Sequence, residues 1–185
     1  MQPPPTEPEL SELLDKIARG DQRALERFYY LFQHRVYAYA QARLGDPHLS
    51  AEIINEVMME VWKSAGRFEG RSKVQTWLLG IAHHKVVDRL RKKPGPEVVE
   101  LDDQLTDDGD VGIERALAGV EDAERLQHCL DGLSDEHRQV MHLAFVEDLP
   151  YGEIAEVAGV PVGTVKTRMF HARKLLKLCL GATGL

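Results

Sequence analysis

A chain of 185 residues with 43% hydrophobic residues and a formal net charge of −7 is long enough for one or two small globular domains. Its Pro-rich, acidic start argues against a secretory signal peptide, and no apolar run approaches membrane-spanning length, so we expect a cytoplasmic protein. Cys129 and Cys179 lack the paired spacing of a zinc or redox site, and we expect two reduced core thiols.

The first half of the chain is predicted to form amphipathic helices. Residues 28–44 form one predicted helix, which ends at the sequence GDP. In residues 51–63 the apolar side chains recur at i, i+4 and i+8, and Ser50 is a suitable residue for the start of that helix. The same spacing recurs from Trp77 to Leu90. Because the alternation typical of strands is not sustained anywhere, we predict an all-α fold.

Charge changes sign along the chain in three blocks. Residues 63–93 hold nine Lys or Arg against two acids, residues 94–124 hold eleven acids against Arg115 alone, and residues 160–177 hold five Lys or Arg and no acid. The sequence KKPGPE at 92–97 breaks helices. We therefore predict two small helical domains joined by a flexible acidic linker.

The C-terminal block has helix-turn-helix spacing. A predicted helix over about 134–146 precedes a short helix over 151–158 and a longer one whose first position is Pro161. Small Ala155 permits two helices to cross closely, and Gly159 permits the sharp turn between them. The second helix of such a pair enters the DNA major groove, which is wide enough to admit it.

On that longer helix the side chains divide into an inward and an outward set. The predicted inward stripe is Val165, Met169, Ala172 and Leu176. The residues left to meet a ligand are Lys166, Thr167, Phe170, His171, Arg173 and Lys174. An exposed Phe170 would suit contact with thymine methyl groups. The alternative is a solvated amphipathic helix whose lysines only confer solubility, and a helix-turn-helix alone is also common to many repressors and response regulators.

Two motif blocks narrow the function. Residues 49–62 read LSAEIINEVMMEVW, similar to the pattern D-A-E-D-L-V-Q-E-V-F-L-x-V-W, and residues 67–93 continue it with RFEGRSKVQTWLLGIAHHKVVDRLRKK. From Tyr151 the chain reads YGEIAEVAGVPVGTVKTRMFHARKLL, close to Y-x-E-I-A-E-I-L-G-I-P-x-G-T-V-K-S-R-L-x-R-A-R. These patterns are those of the extracytoplasmic-function (ECF) sigma factors, promoter-specificity subunits of bacterial RNA polymerase, and the chain resembles them over roughly 20–93 and 122–180.

The resemblance implies a domain organisation. A region 2 domain at 20–93 would bind core polymerase and recognise and melt the −10 promoter element, and a region 4 helix-turn-helix domain at 122–180 would recognise the −35 element. Between them lies the acidic linker at 94–121. Residues 1–19 would be a tail with the start of the first helix, and 181–185 a C-terminal tail. Control by an anti-sigma protein is also implied.

The resemblance further assigns residues to each contact. Core polymerase would be bound by Glu52, Asn55, Glu56 and Glu60. The −10 element would be contacted by Arg71, Ser72, Lys73, Trp77, His84, Lys85, Arg89, Arg91 and Lys92. The −35 element would be contacted by Gly163, Thr164, Lys166, Thr167, Arg168, Phe170, His171, Arg173 and Lys174. No catalytic residue, metal ligand or cofactor is implied, and Trp77 is equally suited to a core position.

Five positions depart from the family patterns. Asn55 stands where Gln is usual, and His84 where Asn is frequent. Arg71 replaces a common Asp, Val74 a common aromatic residue, and His171 a frequent Arg. The departures at Arg71 and Val74 mean that the −10 preference cannot be inherited from relatives. A bidentate Arg to guanine contributes about 1–3 kcal/mol of discrimination, so its replacement by His171 is expected to change the preferred −35 sequence.

Two other classes of protein compete with this interpretation. A helix-turn-helix regulator would bind DNA without recruiting polymerase. An enzyme would need a catalytic motif, and the chain has no H-E-x-x-H, P-loop or nucleophile elbow. We therefore expect no enzymatic activity. His83 and His84 are adjacent, and adjacent helical side chains point about 100° apart, which makes them a poor metal pair.

Overall fold

The structure, a computed structural model, describes residues 4–92 and 123–182, and the predicted linker lies outside these ranges. Every regular element within them is helical, which confirms the all-α prediction, and they form two compact units. The first unit contains α1 (Glu7–Ala18), α2 (Gln22–Leu44), α3 (Pro47–Ser64), a 3-10 turn (Ala65–Arg67) and α4 (Val74–Lys92). The remaining helices are α5 (Ala123–Asp131), α6 (Asp135–Phe145), α7 (Tyr151–Ala158) and α8 (Val162–Ala182), and the second unit comprises them except for Glu156–Gly159 at the end of α7.

Helix α1 occupies the segment in which the sequence predicted only a tail and the start of a helix. The backbone N–H and the hydroxyl of Thr6 both donate to the Glu9 carboxylate, at 2.7 and 2.8 Å, and these bonds lower the pKa of that carboxyl. One face of α1 is apolar and packs on the rest of the unit. Its buried residues are Leu10, Leu13, Leu14 and Ile17.

Helix α2 begins earlier than predicted and ends where predicted. The Asp21 carboxylate accepts hydrogen bonds from the backbone N–H groups of Arg23 and Ala24, at 2.9 and 3.2 Å, so the helix starts at Gln22 rather than at residue 28. Gly45 ends it with φ +61°, a left-handed conformation that glycine adopts without steric cost.

Helix α3 begins at Pro47 and not at Ser50. The Asp46 carboxylate caps it by accepting from the backbone N–H groups of His48 and Leu49, at 2.9 and 3.1 Å. Ser50 is buried one turn into the helix, and its hydroxyl donates to the Asp46 carbonyl at 2.7 Å. The prediction that Ser50 starts this helix is therefore wrong, because the Asp-Pro pair starts it first.

The core of the first unit forms where α3 packs against both α2 and α4. Burial of each large aliphatic or aromatic side chain contributes about 1.5–3 kcal/mol, so this layer dominates the stability of the unit. Its fully buried members include Phe28, Val36, Tyr39, Ile53, Val57, Val61, Leu78, Leu79 and Val86.

In the second unit, the turn between α7 and α8 has the predicted chemistry. Gly159 adopts φ +65°, and the backbone N–H of Val160 donates to the carbonyl of buried Ala155 at 3.2 Å. The carbonyl of Pro161 accepts from the backbone N–H of Val165 at 3.2 Å, so Pro161 is the residue just before α8 rather than its first residue.

The cysteines correct a sequence prediction. Helix α5 packs on α8, and this contact brings the Cα atoms of Cys129 and Cys179 to 5.8 Å, where the two sulfur atoms form a disulfide. The Nη2 group of Arg125 donates to the Leu180 carbonyl at 3.1 Å and ties the same two helices together. The prediction of two reduced thiols is wrong, because sequence spacing does not reveal which helices pack together.

The disulfide predicts a redox-dependent stability of the second unit. The disulfide closes the chain between Cys129 and Cys179 into a loop, which removes conformational entropy from the unfolded state. Cys129→Ser is therefore expected to lower the free energy of unfolding by about 2–4 kcal/mol. Thermal unfolding of the full chain with and without dithiothreitol measures this effect. The double variant Cys129→Ser/Cys179→Ser should not respond to reductant, and an equal response of the wild-type protein and the double variant would contradict the prediction.

Candidate nucleic-acid and polymerase interfaces

Residues 68–73, here called the 68–73 loop, connect the 3-10 turn to α4. Gly70 lies in the left-handed region at φ +68°, which lets the backbone reverse. The guanidinium of Arg71 lies 2.9 Å from the Glu69 carboxylate, and both side chains are well exposed. Lys73 is also exposed, and Ser72 is partly buried. The loop therefore presents charged and hydroxyl groups to solvent, close to the start of α4.

Trp77 lies one turn into α4, and its ring is partly buried. Its ring centroid is 5.4 Å from that of Phe68, at an interplanar angle of 58°. The two rings form an aromatic pair between the first residue of the 68–73 loop and α4. Val74, at the position where the family has an aromatic residue, is fully buried. The aromatic surface beside the loop is therefore supplied by Phe68 and Trp77.

The basic residues of α4 fall on two different rows. Lys85 and Arg89 are one turn apart and face α3, whose carboxylates form ion pairs with them. The remaining basic side chains of the helix end, Arg91 and Lys92, are exposed, as is His84. The structure therefore separates the residues that the sequence placed in one phosphate-contacting set.

The acidic residues of α3 lie opposite Lys85 and Arg89. Glu60 is 3.2 Å from the Lys85 ammonium, and Glu52 is 3.0 Å from the Arg89 guanidinium. Arg89 also pairs with Glu56, and the hydrogen bond and charge of that carboxylate, with Glu52, raise the pKa of Arg89. We call these contacts the α3–α4 ion-pair row. Asn55, the fourth residue predicted at the polymerase contact, is exposed.

The ion-pair row joins two sets of residues for which the sequence predicted separate contacts. Glu52, Glu56 and Glu60 were predicted to bind polymerase, whereas Lys85 and Arg89 were predicted to bind phosphate. In this chain they neutralise one another. Because these side chains remain partly exposed, each ion pair contributes only about 0–1 kcal/mol to stability.

His83 takes part in a hydrogen-bond network with α2. The Arg43 guanidinium, which can only donate, gives hydrogen bonds to His83 Nδ1 at 2.8 Å and to the Tyr39 hydroxyl at 2.9 Å. Arg43 and Tyr39 are buried, so this network links α2 to α4 inside the unit. Within residues 4–92 and 123–182 there is no cluster of three or more metal-binding side chains.

In the second unit, α8 shows the predicted division into two faces. Val165, Met169, Ala172 and Leu176 are all buried, as the spacing predicted. Lys166 is exposed. The other predicted −35 residues that are exposed are Gly163, Thr167 and Lys174, and those that are partly buried are Thr164, Arg168, Phe170, His171 and Arg173.

Neighbouring side chains partly cover the aromatic and cationic residues of α8. Phe170 was expected to be exposed, but it is partly buried and its ring contacts the His171 ring edge to face, with centroids 5.6 Å apart. The Arg173 guanidinium lies 5.7 Å from the Phe145 ring centroid. Only part of the Phe170 ring is therefore accessible, and its contact with thymine methyl groups stays a prediction.

His137 on α6 was missed by the sequence analysis. Its ring centroid lies 6.1 Å from that of His171, and its backbone N–H donates to the Ser134 hydroxyl at 3.3 Å. Burial lowers the pKa of His137, and the charges of His171 and Arg168 act in the same direction, against a raising effect of Glu136. Helix spacing gives no signal for this contact, because the two histidines belong to different helices.

A buried histidine and carboxylate lie at the end of α6. His142 Nε2 is 3.5 Å from Glu147 Oε1, and both side chains are almost completely buried. A catalytic pair must reach its substrate, so this pair is placed for structure rather than for catalysis.

The comparisons with known proteins agree with this arrangement. The family described as Sigma-70 region 2 matches residues 28–94, and the family described as Sigma-70, region 4 matches residues 123–176. The ECF RNA polymerase sigma factor SigK of Mycobacterium ulcerans (strain Agy99) is 34% identical over 191 residues, which cover 98% of each chain.

The chain belongs to the ECF RNA polymerase sigma factors. Two solved structures share the fold of this sigma factor. One is CnrH in complex with the cytosolic domain of CnrY, with a TM-score of 0.68, 20% identity and coverage of 93% of this chain and 97% of that chain. The other is the sigma factor RpoE in complex with the anti-sigma factor NepR from Bartonella quintana, with a TM-score of 0.64 and 22% identity. It covers 84% of this chain and 96% of that chain.

Sigma factors are transcription initiation factors that act without an enzymatic activity of their own. Among the described helices of this sigma factor, none combines the length and the apolar character needed to cross a bilayer.

The ion-pair row predicts how charge removal changes DNA binding. In Glu52→Gln/Glu56→Gln, Arg89 loses both carboxylates and can contact phosphate, so affinity for duplex DNA should rise. The slope of log affinity against log salt should steepen by about one unit. Fluorescence anisotropy across a salt series measures both. Glu12→Gln/Glu26→Gln removes the same charge from α1 and α2, and equal slopes for the two double variants would contradict the prediction.

His137 predicts a pH dependence of stability. Because its folded pKa lies below its ordinary value of about 6.5, the unfolded chain binds more protons, and stability falls as the pH drops from about 6.5 through the folded pKa. His137→Asn should flatten the decline of Tm between about pH 7.5 and 5.5, a range that spans the ordinary histidine pKa of about 6.5. His128→Asn, on an exposed residue of the same unit, should keep the wild-type profile. An unchanged profile in His137→Asn would contradict the prediction.

Proposed function

We propose that this sigma factor binds core RNA polymerase through α3 and places it on promoters through α8 and the 68–73 loop. The observation that carries the proposal is the presence, in one chain, of a helix-turn-helix unit and a separate unit with a polar loop ahead of a basic helix. The matches to region 2 and region 4 support the same division, at 20–93 and 122–180. A regulator without polymerase contact is disfavoured, because it would have no use for the first unit.

At the −35 element, α8 would lie in the major groove. Its buried stripe holds it against α6, so the opposite side can approach DNA. Lys166 is exposed near the start of the helix, which is the part that contacts base edges in this motif. His171, next to His137, offers imidazole nitrogens in place of the family's Arg and would change the preferred bases.

At the −10 element, the 68–73 loop would receive a base extruded from the duplex. Extrusion costs a few kcal/mol, and stacking on an aromatic surface recovers about 1–3 kcal/mol. Phe68 and Trp77 form such a surface beside the loop. Arg71, Ser72 and Lys73 would supply hydrogen-bond donors. His84, Arg91 and Lys92 are exposed along α4 and would contact phosphates upstream.

At the polymerase contact, the acidic side of α3 would meet a basic partner. Asn55 is exposed, and the neighbouring carboxylates form ion pairs with partly exposed cations. Such pairs exchange partners at small cost. The acidic side of α3 can therefore bind a basic surface without any rearrangement of the core.

The remaining features follow from this role. The linker at 94–121 would act as a tether between the two promoter contacts. Of the two predicted tails, 1–19 contains α1 (Glu7–Ala18), and 181–185 begins within the end of α8. The protein would act in the cytoplasm and would need no catalytic residue, metal or cofactor. The sigma factor RpoE of Bartonella quintana has been solved with an anti-sigma factor, and we expect a protein of that class to regulate this chain.

The test is transcription with purified components. Core polymerase lacking any sigma factor should bind this chain and produce run-off transcripts from genomic fragments, whose mapped start sites would define the promoter. If the chain binds DNA but not core polymerase, the regulator without polymerase contact is correct. If it binds neither, the proposal is wrong.

Lys166 provides a residue-level prediction. Lys166→Ala removes a cation from the start of α8 and should weaken promoter binding by the holoenzyme by about 1–3 kcal/mol, with unchanged affinity for core polymerase. Lys177→Ala removes the same charge from an exposed position farther along α8 and should have a smaller effect. Equal losses in the two variants, measured by electrophoretic mobility shift, would contradict the assignment of the α8 start to DNA.

A further inference from the structure

The start of α4 is capped by a residue from a different helix. The backbone N–H of Val74, the first residue of α4, donates a hydrogen bond to the Glu7 carboxylate of α1. The residue before α4 is Lys73, whose side chain has donors and no acceptor, so it cannot cap the helix itself. The capping side chains of α2, α3 and α6 come instead from the residue just before each helix: Asp21, Asp46 and Ser134.

Helix α1 also contacts the chain on the other side of the 68–73 loop. It packs on the 3-10 turn that precedes the loop. At its last residue, Ala18, the side chain lies 3.6 Å from where a Cβ of Gly66 would be. Ala65, the first residue of that turn, is buried. The two ends of α1, about 18 Å apart, thus lie at the two ends of the loop.

The position of α1 is itself set by the core. Its four buried side chains anchor it on the unit, and burial of each contributes about 1.5–3 kcal/mol. The loop after Phe68, in contrast, has no apolar side chain and has Gly70 in the left-handed region. The Glu7 carboxylate therefore ties the end of the loop to an anchored helix. Its negative charge suits the N-terminus of α4.

We propose that Glu7 is a positioning residue for −10 recognition, since it holds the start of α4 and with it Arg71, Ser72 and Lys73. This inference rests on the proposed function, in which the 68–73 loop receives the extruded base. Glu7 acts through Val74 and does not touch DNA. Loss of the carboxylate leaves the first N–H of α4 without its acceptor and lets the loop sample other conformations.

The test compares Glu7→Ala with Glu7→Gln, which keeps a carbonyl oxygen as acceptor. In the reconstituted holoenzyme, Glu7→Ala should slow promoter opening by about 10-fold, followed by the fluorescence of 2-aminopurine at the −10 element, with unchanged affinity for core polymerase. Glu7→Gln should restore most of the rate. Glu12→Ala removes an exposed carboxylate from the same helix, where it pairs with Lys16 at 2.8 Å, and should open promoters at the wild-type rate.

A second measurement on the free chain needs neither polymerase nor promoter. Amide hydrogen exchange of residues 68–77 should accelerate in Glu7→Ala and stay near wild type in Glu7→Gln. Unchanged exchange and opening in Glu7→Ala, equal defects in both Glu7 variants, or a loss of core affinity along with opening would each overturn the inference. A wild-type chain that fails to open promoters would refute the proposed function, while the exchange result would still decide whether Glu7 positions α4.

Discussion

The burial of one face of α3 between α2 and α4 is the contact on which the first unit depends. Ile53, Val57 and Val61 are fully buried there, and each contributes about 1.5–3 kcal/mol. An exposed ion pair contributes about 0–1 kcal/mol at most. The apolar layer therefore decides how α3 and α4 lie, and the ion-pair row between them is its consequence. Once the two helices pack in this register, acids of α3 and cations of α4 must meet at the surface.

The ion-pair row is only weakly held, because its side chains remain partly exposed to solvent. Charges that neutralise one another lower the attraction of the free chain for DNA phosphates, whose long-range field would otherwise draw in any basic helix. If α4 contacts promoter DNA as proposed, weak internal pairs suit this sigma factor better than a permanently open basic face. The exposed cations of α4, Arg91 and Lys92, lie past this row at the end of the helix.

The second unit uses a different constraint, a covalent one. A small helical unit buries little apolar surface, and the Cys129–Cys179 disulfide adds a restraint between α5 and the end of α8. The stripe that ends at Leu176 keeps α8 against α6 and leaves Lys166 exposed. The half of α8 that would enter DNA is thus held by packing, and its far end by the disulfide.

Local pattern was enough to predict the fold class, the helix-turn-helix, the buried stripe of α8 and the family, since helical periodicity, the turn at Gly159 and the two motif blocks each lie within a short stretch of sequence. Tertiary packing alone decided that Cys129 meets Cys179, that Glu7 caps α4, and that the acids of α3 pair with the cations of α4. Each of these contacts joins residues far apart in the chain. Spacing along one helix says which way a side chain points, but not which other helix it will face.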